Sequence, residues 1–322
     1  MTTTGPATTN ALRLPGLDGS NPLGFLAALG LLRVVDASTP TDAQPPRMRW
    51  VTAGATWVPE LFGARDVAGS EEALLEHLQG ILARSLDQHT ARHWRTVLEG
   101  GHEARRRLAT SQEAEVLDWL GGVGIATSPS VERPEDHDTQ LRTARRDYHL
   151  LALEPILAET TAGHLRRTLF SLWDYADPME KLSLHLDPAD DRRHAYQWNK
   201  PSGDPSRSKR GSMLGANRLA IEAFPLLPTL PTARGRATAG FRGRRSTDTF
   251  WRWPIWTVPI TAALVPPVLN LADLQPGPHD KSDGIGHAAA LRLRERGIAA
   301  VFESQRILVG KTPNLSPARA VL

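Results

Sequence analysis

Three aspartates that lie within five residues of one another are the side chains best placed for catalysis. Asp187, Asp190 and Asp191 follow the alternating segment 182–186, which predicts a strand that ends at these carboxylates. Clustered carboxylates can hold Mg²⁺ for phosphodiester cleavage, so one hypothesis is a metal-dependent nuclease. However, two arginines follow at once and can pair with the same groups, and no general base is recognisable beside them. We therefore expect structural ion pairs, no catalytic residues and no bound metal.

Histidine and acidic clusters elsewhere carry weaker patterns. His89 and His93 have the spacing that places two metal ligands on one helix face, but the glutamate of an HExxH motif and a third ligand are missing. Glu135, Asp136 and Asp138 offer oxygen ligands to a hard cation, but acidic residues beside a proline usually serve turns. The chain also lacks the signatures of serine hydrolases, helicases and phosphate-binding loops. These absences favour a binding protein without a cofactor over an enzyme.

Positive charge is concentrated in residues 192–252. This stretch holds thirteen Lys and Arg against three Asp and Glu, a net charge of +10 in a chain whose total is +3. Aromatic side chains lie within it or just past it, namely Tyr196, Trp198, Phe224, Phe241, Phe250, Trp251, Trp253 and Trp256. Cationic groups neutralise phosphates and aromatic faces stack on bases, so nucleic acid is the leading partner hypothesis. The alternative is a solvated basic face, with the aromatic residues in the core.

The candidate nucleic-acid contacts lie in two loops and at one helix start. A loop rich in Pro, Gly and Ser precedes a predicted helix over 214–224, whose N-terminus directs positive partial charge towards that loop. A second basic loop covers 229–248. The candidates are Trp198, Lys200, Arg207, Lys209, Arg210, Asn217, Arg218, Arg234, Arg236, Arg242, Arg244 and Arg245. Two alternatives stay open. Arg218 can pair with Glu222 four residues on. We expect Trp251, Trp253 and Trp256 to be core or fold-edge residues rather than base-stacking platforms.

Charge also divides the chain into two regions. Residues 1–191 hold 18 basic and 27 acidic side chains, and residues 192–322 hold 20 basic and 8 acidic ones. Net charges of −9 and +12 predict an acidic N-terminal region and a basic nucleic-acid-binding region. The alternative is one interleaved domain, if the terminal segments pair with the central strands.

Periodicity predicts the elements that position these residues. The apolar segment 22–36 predicts a core helix, and the glycine-rich turn before it lacks the basic residues of a phosphate cradle. Further helices are predicted over 70–120 with breaks, 146–158, 161–175 and 286–297. Strands are predicted over 11–14, 48–51, 56–58, 182–186, 249–253 and 301–310, with Pro254 at an edge or an end. We expect an α+β fold with mixed or antiparallel strands packed with helices.

The composition indicates a globular protein of the cytoplasm. The chain has 322 residues, 40% hydrophobic and 23% charged. It has no cysteine, which excludes disulfides and thiolate zinc sites. Its first residues do not resemble a signal peptide, and the longest apolar run is too short to cross a bilayer. We expect no membrane partner.

Several motifs, in this order, resemble one protein family. They are LPGLDGSNPLGFLAALGLLRVV at the start, DPADDRRHAYQW, GANRLAIEAFPLLP, TAGF and WPIW in the middle, and VFESQRILVGKTPNLSPARAV at the end. This order resembles the small large-subunit-like proteins of type I-G (formerly I-U) CRISPR–Cas systems. The resemblance covers both ends and the middle, while residues 37–180 match weakly.

The resemblance implies a non-catalytic subunit of a Cascade-type surveillance ribonucleoprotein. Such subunits help to bind guide RNA and target DNA, help to recognise a flanking motif, and present the assembly to a separate helicase–nuclease. The partners expected are therefore guide RNA, target DNA or both, together with other Cascade subunits. Besides the nuclease, a protein-only scaffold whose basic half binds an acidic partner stays open as an alternative.

Overall fold

The computed structural model combines helices with antiparallel sheets, which confirms the predicted α+β class. It describes residues 11–63, 69–85, 126–127, 136–137, 139–142, 146–178, 182–188, 211–232, 235–243, 249–275, 284–309 and 312–322. Within these ranges, no helix is both long enough and apolar enough to cross a membrane.

Seven α-helices occur in the described ranges. They are α1 (Pro22–Ser38), α2 (Glu71–Ser85), α3 (Arg146–Glu159), α4 (Ala162–Phe170), α5 (Leu214–Glu222), α6 (Val265–Leu269) and α7 (His287–Glu295). Short 3-10 turns cover Phe224–Leu226, Ala262–Leu264 and Ala272–Leu274. The helices predicted over 22–36, 146–158, 214–224 and 286–297 form close to their expected bounds, whereas α4 ends at Phe170 rather than near residue 175. Of the predicted helical region 70–120, only α2 lies within the described residues.

The strands of the described ranges form antiparallel sheets. They are β1 (Ala11–Arg13), β2 (Arg47–Ala53), β3 (Thr56–Phe62), β4 (Ala126–Thr127), β5 (Asp136–His137), β6 (Thr229–Thr232), β7 (Gly235–Thr238), β8 (Phe241–Arg242), β9 (Phe250–Trp256), β10 (Ile298–Val309), β11 (Thr312–Leu315) and β12 (Arg319–Ala320). The N-terminal sheet has the order β1-β3-β2. The C-terminal sheet has the order β11-β10-β9-β8, with β12 also paired to β10, and β4–β5 and β6–β7 form separate pairs.

Helix α1 is buried on nearly every side, as its composition predicts. The side-chain oxygen of Asn21 accepts hydrogen bonds from the backbone N–H groups of Leu23 and Gly24, and Pro22 occupies the first turn, where no N–H is needed. Thirteen of its seventeen residues are buried. The turn before the helix is therefore capped by the protein itself, and α1 is a core helix.

Five aromatic rings join α1 to both sheets. Phe25 of α1 lies 5.7 Å from Trp50 on β2 and 6.0 Å from each of Trp251, Trp253 and Trp256 on β9, measured between ring centroids. Trp253 donates its indole N–H to a backbone carbonyl before α1, and Trp256 donates to one on β2. The three tryptophans of β9 are thus core residues, which confirms the favoured expectation.

Close helix packing brings the two charge regions into one core. A β-carbon added at Gly30 of α1 would lie 1.8 Å from the carbonyl oxygen of Leu219 on α5, so the two backbones touch because residue 30 is glycine. Residues on both sides of position 191 contribute to the same hydrophobic cluster. Segments of opposite net charge therefore share a single core.

The predicted strand over 182–186 is wrong. Its leucines are buried as the alternation indicates, but the segment has no β-partner in the described part of the chain. His185 has a φ of 55°, outside the extended region. Side chains replace a neighbouring strand, because Leu184 donates its N–H to Asn217 and His185 donates its own to Ser183.

Candidate nucleic-acid interface

Most of the predicted contact residues lie outside the described residues. These are Trp198, Lys200, Arg207, Lys209, Arg210, Arg234, Arg244 and Arg245. Arg236 lies within β7. Asn217, Arg218 and Arg242 are the three whose side chains the structure describes. Of the three aspartates considered for catalysis, only Asp187 is described.

Both flanks of the basic stretch 189–210 are fastened to Tyr175. Its hydroxyl donates to Oδ2 of Asp187 at 3.0 Å, just before the stretch. Its carbonyl oxygen accepts the N–H of Gly211 at 3.0 Å, just after the stretch. Tyr175 has a φ of 52°, a left-handed conformation that is uncommon for a residue other than glycine. The two flanks of the stretch therefore contact the same residue, one at its hydroxyl and the other at its backbone carbonyl.

A buried carboxylate, Asp177, holds the segment that follows the basic stretch. Asp177 accepts the N–H of Leu214 at the start of α5 and receives a hydrogen bond from the guanidinium of Arg167. Its backbone also pairs with Ser212 in an isolated β-bridge. Asp177 is 4% exposed, so these partners replace water. The first N–H group of α5, the helix whose N-terminus was predicted to direct positive partial charge towards the basic loop, thus bonds to the protein's own carboxylate.

Asn217 and Arg218 are core residues, so the prediction that their side chains reach a bound strand is wrong. Asn217 is fully buried and donates to Ser212 and to a backbone carbonyl. Arg218 is 2% exposed and lies 2.6 Å from Glu222, the pairing left open as an alternative. Glu222 also binds Arg33 of α1 at 3.0 Å. One fully buried carboxylate thus binds two arginines, and its pair with Arg33 joins α1 to α5.

Asp187 has a structural role in the described fold. It is 4% exposed and accepts the hydrogen bond of Tyr175 described above. Among the described residues, no group of three or more potential ligands could hold a metal ion. Asp190 and Asp191 lie outside these residues.

Arg242 belongs to a polar cluster on the C-terminal sheet, which we call the Glu303 cluster. One carboxylate, Glu303 on β10, binds three arginines from three neighbouring strands. The nitrogen-to-oxygen distances are 2.7 Å to Arg242, 2.5 Å to Arg252 and 2.7 Å to Arg319. Arg242 also lies over the ring of Phe250, 4.3 Å from its centroid. The pairing of β9, β10 and β12 sets Arg252, Glu303 and Arg319 side by side.

The Glu303 cluster has more positive than negative charge. Taken by themselves, these four side chains carry a formal charge of +2, since three guanidinium groups face one carboxylate. Burial raises the pKa of Glu303, but hydrogen bonds from the three guanidinium groups outweigh it and hold that pKa below its ordinary value. Burial lowers the pKa of Arg252, and the repulsion by Arg242 and Arg319 adds to this. An anion that approached the cluster would offset this repulsion.

The exposure of the three arginines differs, which separates their roles. The side chain of Arg252 is fully buried, whereas those of Arg242 and Arg319 are 29% and 48% exposed. Nη2 of Arg252 and Nε of Arg242 are buried without a hydrogen-bond partner in the described structure. The buried Arg252 therefore adds positive charge beneath the surface, and Arg242 and Arg319 expose positive charge to solvent.

Two arginines at the C-terminal end of α7 form a second basic group, whose net charge is closer to neutral. Arg292 and Arg296 bind Asp273 at 2.6 and 2.8 Å. The hydrogen bond from Arg292 is the main reason that the pKa of Asp273 lies below its ordinary value. Both arginines are about half exposed, so such pairs contribute little to stability. The positive charges of Arg292 and Arg296 can add to the electrostatic potential around the C-terminal sheet.

Arg252, Glu303 and Arg319 were not among the predicted site residues. A signal was available, because Arg252 is the one charge within the apolar run FWRWPIW, and Glu303 is the one charge in VFES. A lone charge in an apolar strand indicates a buried ion pair. Within the described part of the basic half, Arg242 and Arg319 thus expose positive charge, while the tryptophans of β9 are buried. Comparisons of the chain with protein-family models, with curated proteins and with solved structures find no match.

Proposed function

We propose that the chain is a non-catalytic subunit of a cytoplasmic CRISPR type I-G surveillance ribonucleoprotein, which binds guide RNA, target DNA or both in antiviral defence. The order of the sequence motifs supports the family. The surplus charge of the Glu303 cluster is the observation that supports nucleic-acid binding. Other Cascade subunits and a separate helicase–nuclease would complete the assembly.

In this proposal the Glu303 cluster binds the phosphate backbone. The half-exposed guanidinium of Arg319 and the less exposed one of Arg242 contact phosphate oxygens. Glu303 fixes the position of both groups, which lowers the entropy lost on binding. Phosphate contacts carry no sequence information, so the cluster contributes affinity to any strand. The basic stretch 189–210, fastened at Tyr175, adds further cations.

Salt dependence of binding tests the proposal. The affinity of the full chain for a single-stranded oligonucleotide is measured at several salt concentrations. With six phosphate contacts, we expect log affinity to fall against log salt with a slope of about −4, from about −0.7 per phosphate. Replacing Arg207, Lys209 and Arg210 with glutamine should make the slope shallower by about 2 units, on every sequence alike. Replacing Arg242 and Arg319 with glutamine should do so by about 1.4 units.

The matched control is a triple change in the acidic region. Arg105, Arg106 and Arg107 are three consecutive arginines, and their replacement by glutamine removes the same charge as the first variant. We expect this control to keep the slope of the wild-type chain. Melting temperatures identify variants that fail to fold. If all the variants bind like the wild type, the basic half does not contact nucleic acid, and the protein-only scaffold becomes the better hypothesis.

The nuclease hypothesis predicts a different result. Incubation of single-stranded and double-stranded substrates with the chain in Mg²⁺ or Mn²⁺ should give no cleavage if the subunit is non-catalytic. Cleavage that disappears when Asp190 and Asp191 are both replaced with alanine would favour a metal-dependent nuclease instead.

A further inference from the structure

The N-terminal sheet carries all of its charged residues on one face. Trp50 of β2 is fully buried and packs against α1, so its side of the sheet is the inner face. Side chains alternate along a strand, which places Arg47 and Arg49 on the outer face. The pairing of β3 with both of its neighbours sets Arg13, Glu60 and Arg49 side by side on that same face. Within these three described strands, no other residue is charged.

One carboxylate holds two of these arginines in place. Glu60 lies 2.8 Å from a guanidinium nitrogen of Arg13 and 2.8 Å from one of Arg49. Arg49 also lies over the ring of Phe62, 5.0 Å from its centroid. Burial raises the pKa of Glu60, but hydrogen bonds from the two guanidinium groups outweigh it and hold that pKa below its ordinary value. Glu60 is therefore ionised at neutral pH.

Arg47 gives this face a surplus of positive charge. It forms no ion pair within the described residues, and its Nε is buried without a hydrogen-bond partner there. We call Arg13, Arg47, Arg49 and Glu60 the Glu60 cluster, and these four side chains carry a formal charge of +2. The side chains of Arg13 and Arg49 are 56% and 38% exposed, so a ligand can reach them. The cluster is basic although residues 1–191 have a net charge of −9.

The Glu60 cluster and the Glu303 cluster have the same construction. In each, a largely buried glutamate binds arginines from the strands on either side of it, and one arginine of the cluster lies over a phenylalanine ring. Arg252 alternates along β9 with Trp251 and Trp253, which contact Phe25 of α1 as Trp50 does. Both clusters therefore lie on sheet faces directed away from that helix. Charge complementarity predicts an anionic ligand for each of them.

The arrangement of the arginines favours a chain of anions over one isolated anion. Arg47 and Arg49 are two residues apart on one strand, so their backbones are separated by about 6.8 Å. Successive phosphates of an extended nucleic-acid strand have a comparable separation. The planar guanidinium group also matches the geometry of phosphate oxygens. One strand can thus contact both arginines with neighbouring phosphates.

We propose that the Glu60 cluster is a second surface that binds the phosphate backbone of the nucleic acid, in addition to the Glu303 cluster. Arg13 and Arg49, fixed by Glu60, contact phosphate oxygens, and Arg47 supplies the uncompensated charge. Such contacts carry no sequence information, so the cluster adds affinity for any strand. This inference rests on the proposed function and extends the contact from the basic region of the chain to the acidic one.

The salt dependence of binding tests this surface. The affinity of the full chain is measured at several salt concentrations for a long single-stranded DNA and for RNA of the same sequence, which shows whether one or both are bound. Three further phosphate contacts should steepen the wild-type slope from about −4 to about −6, at about −0.7 per phosphate. Replacing Arg13, Arg47 and Arg49 with glutamine should return the slope to about −4. Melting temperatures show whether this variant folds, because Glu60 loses both of its partners.

A single change keeps the ion pairs of Glu60 intact. Arg47→Gln removes no ion pair of the described structure and should make the slope shallower by about 0.7 units. Its control is Arg166→Gln, which also removes one positive charge. The side chain of Arg166 is 48% exposed, but it pairs with Glu71 and Glu72 at 3.5 and 3.3 Å, so its surroundings have no surplus of positive charge. The control should keep the wild-type slope.

The outcomes separate this inference from the proposed function. If Arg47→Gln and the triple variant both keep the wild-type slope, the Glu60 cluster does not contact nucleic acid and the inference is wrong. A shallower slope for the Arg242 and Arg319 variant would then still support the proposed function. If the wild type binds neither DNA nor RNA, both proposals fail. If the triple variant loses only the binding of polyglutamate, the cluster binds an acidic protein partner instead, which also overturns the inference.

Discussion

Glu303 is a buried carboxylate whose negative charge compensates three guanidinium groups. It is 1% exposed, and its partners include the fully buried Arg252. Replacing one member of a buried ion pair leaves an uncompensated charge in the interior. We expect Glu303→Gln to lower the free energy of unfolding by about 3–5 kcal/mol. Urea unfolding measures this, with Glu295→Gln on the exposed face of α7 as the control, expected within about 0.5 kcal/mol.

The same variant should change the response to acid. The pKa of Glu303 is lower in the folded chain than the ordinary value of about 4.3 that applies to the unfolded chain. Its contribution to stability is therefore complete above that ordinary value and is lost as the pH falls through the lower folded pKa. Unfolding midpoints of the wild type should fall in this acidic window more steeply than those of Glu303→Gln. Parallel curves would show that Glu303 does not carry this linkage.

Individual site residues were predictable only where their partners lie nearby in sequence. The pairing of Arg218 with Glu222 follows from their spacing on one helix face. That Arg218 is buried does not follow, because a second partner of Glu222 is Arg33, 189 residues away. A charged side chain is predicted to be exposed when only its residue type is considered. Its burial depends on neutralising contacts with residues that are distant in sequence.

At the scale of elements, hydrophobic periodicity predicted α1 and five of the twelve described strands, but it failed at residues 182–186 and in the predicted loop 229–248, which contains β6, β7 and β8. Leu182, Leu184 and Leu186 alternate and are buried as in a strand. The N–H groups of Leu184 and His185 bond to the side chains of Asn217 and Ser183 instead of to a neighbouring strand. Alternation of apolar residues predicts which side chains face a core. It does not predict which groups form hydrogen bonds with the backbone N–H and C=O groups.

Helix packing gives a test in which two glycines should respond in opposite ways. Gly30→Ala places a methyl group 1.8 Å from the carbonyl of Leu219, and Gly163→Ala on α4 meets only Thr161 at 3.6 Å. Alanine is favoured over glycine within helices by about 0.5–1 kcal/mol. We expect Gly163→Ala to be neutral or stabilising and Gly30→Ala to destabilise by about 1–3 kcal/mol, because α1 and α5 must separate.

Thermal unfolding of both glycine variants makes the comparison. A Gly30→Ala chain as stable as Gly163→Ala would show that α1 and α5 are not in contact as described. A loss in both variants would show that α4 does not tolerate alanine, and the comparison would then need to rely on Gly30 alone.

In the whole molecule, net charge divides the chain into two regions, whereas the hydrophobic core combines residues of both. The net charge changes sign near residue 191, yet α1 from the acidic region packs against α5 from the basic region. Surface charge reflects the partners of a protein, whereas the core reflects which apolar faces meet. The charge pattern therefore supports a hypothesis about ligands. The packing of residues from both regions into one core had to be seen in the structure.

Both flanks of residues 189–210 contact Tyr175, and we expect that the sequence between these flanks can be exchanged. Loop closure costs only about 0.6 kcal/mol for each doubling of length, so the length of a segment whose two flanks are held by the fold has little effect on stability. We expect a chain in which residues 192–210 are replaced with four Gly and Ser residues to keep its unfolding free energy within about 1 kcal/mol.

Circular dichroism and urea unfolding of the exchanged chain check this expectation, and a collapse of the fold would contradict it. The replaced segment has six basic and one acidic residue, so a single exchange removes five positive charges. Such an arrangement lets evolution, or a protein engineer, alter the length and charge of the stretch while the core stays as it is. A fluorescent label or an affinity tag could be inserted there for the same reason.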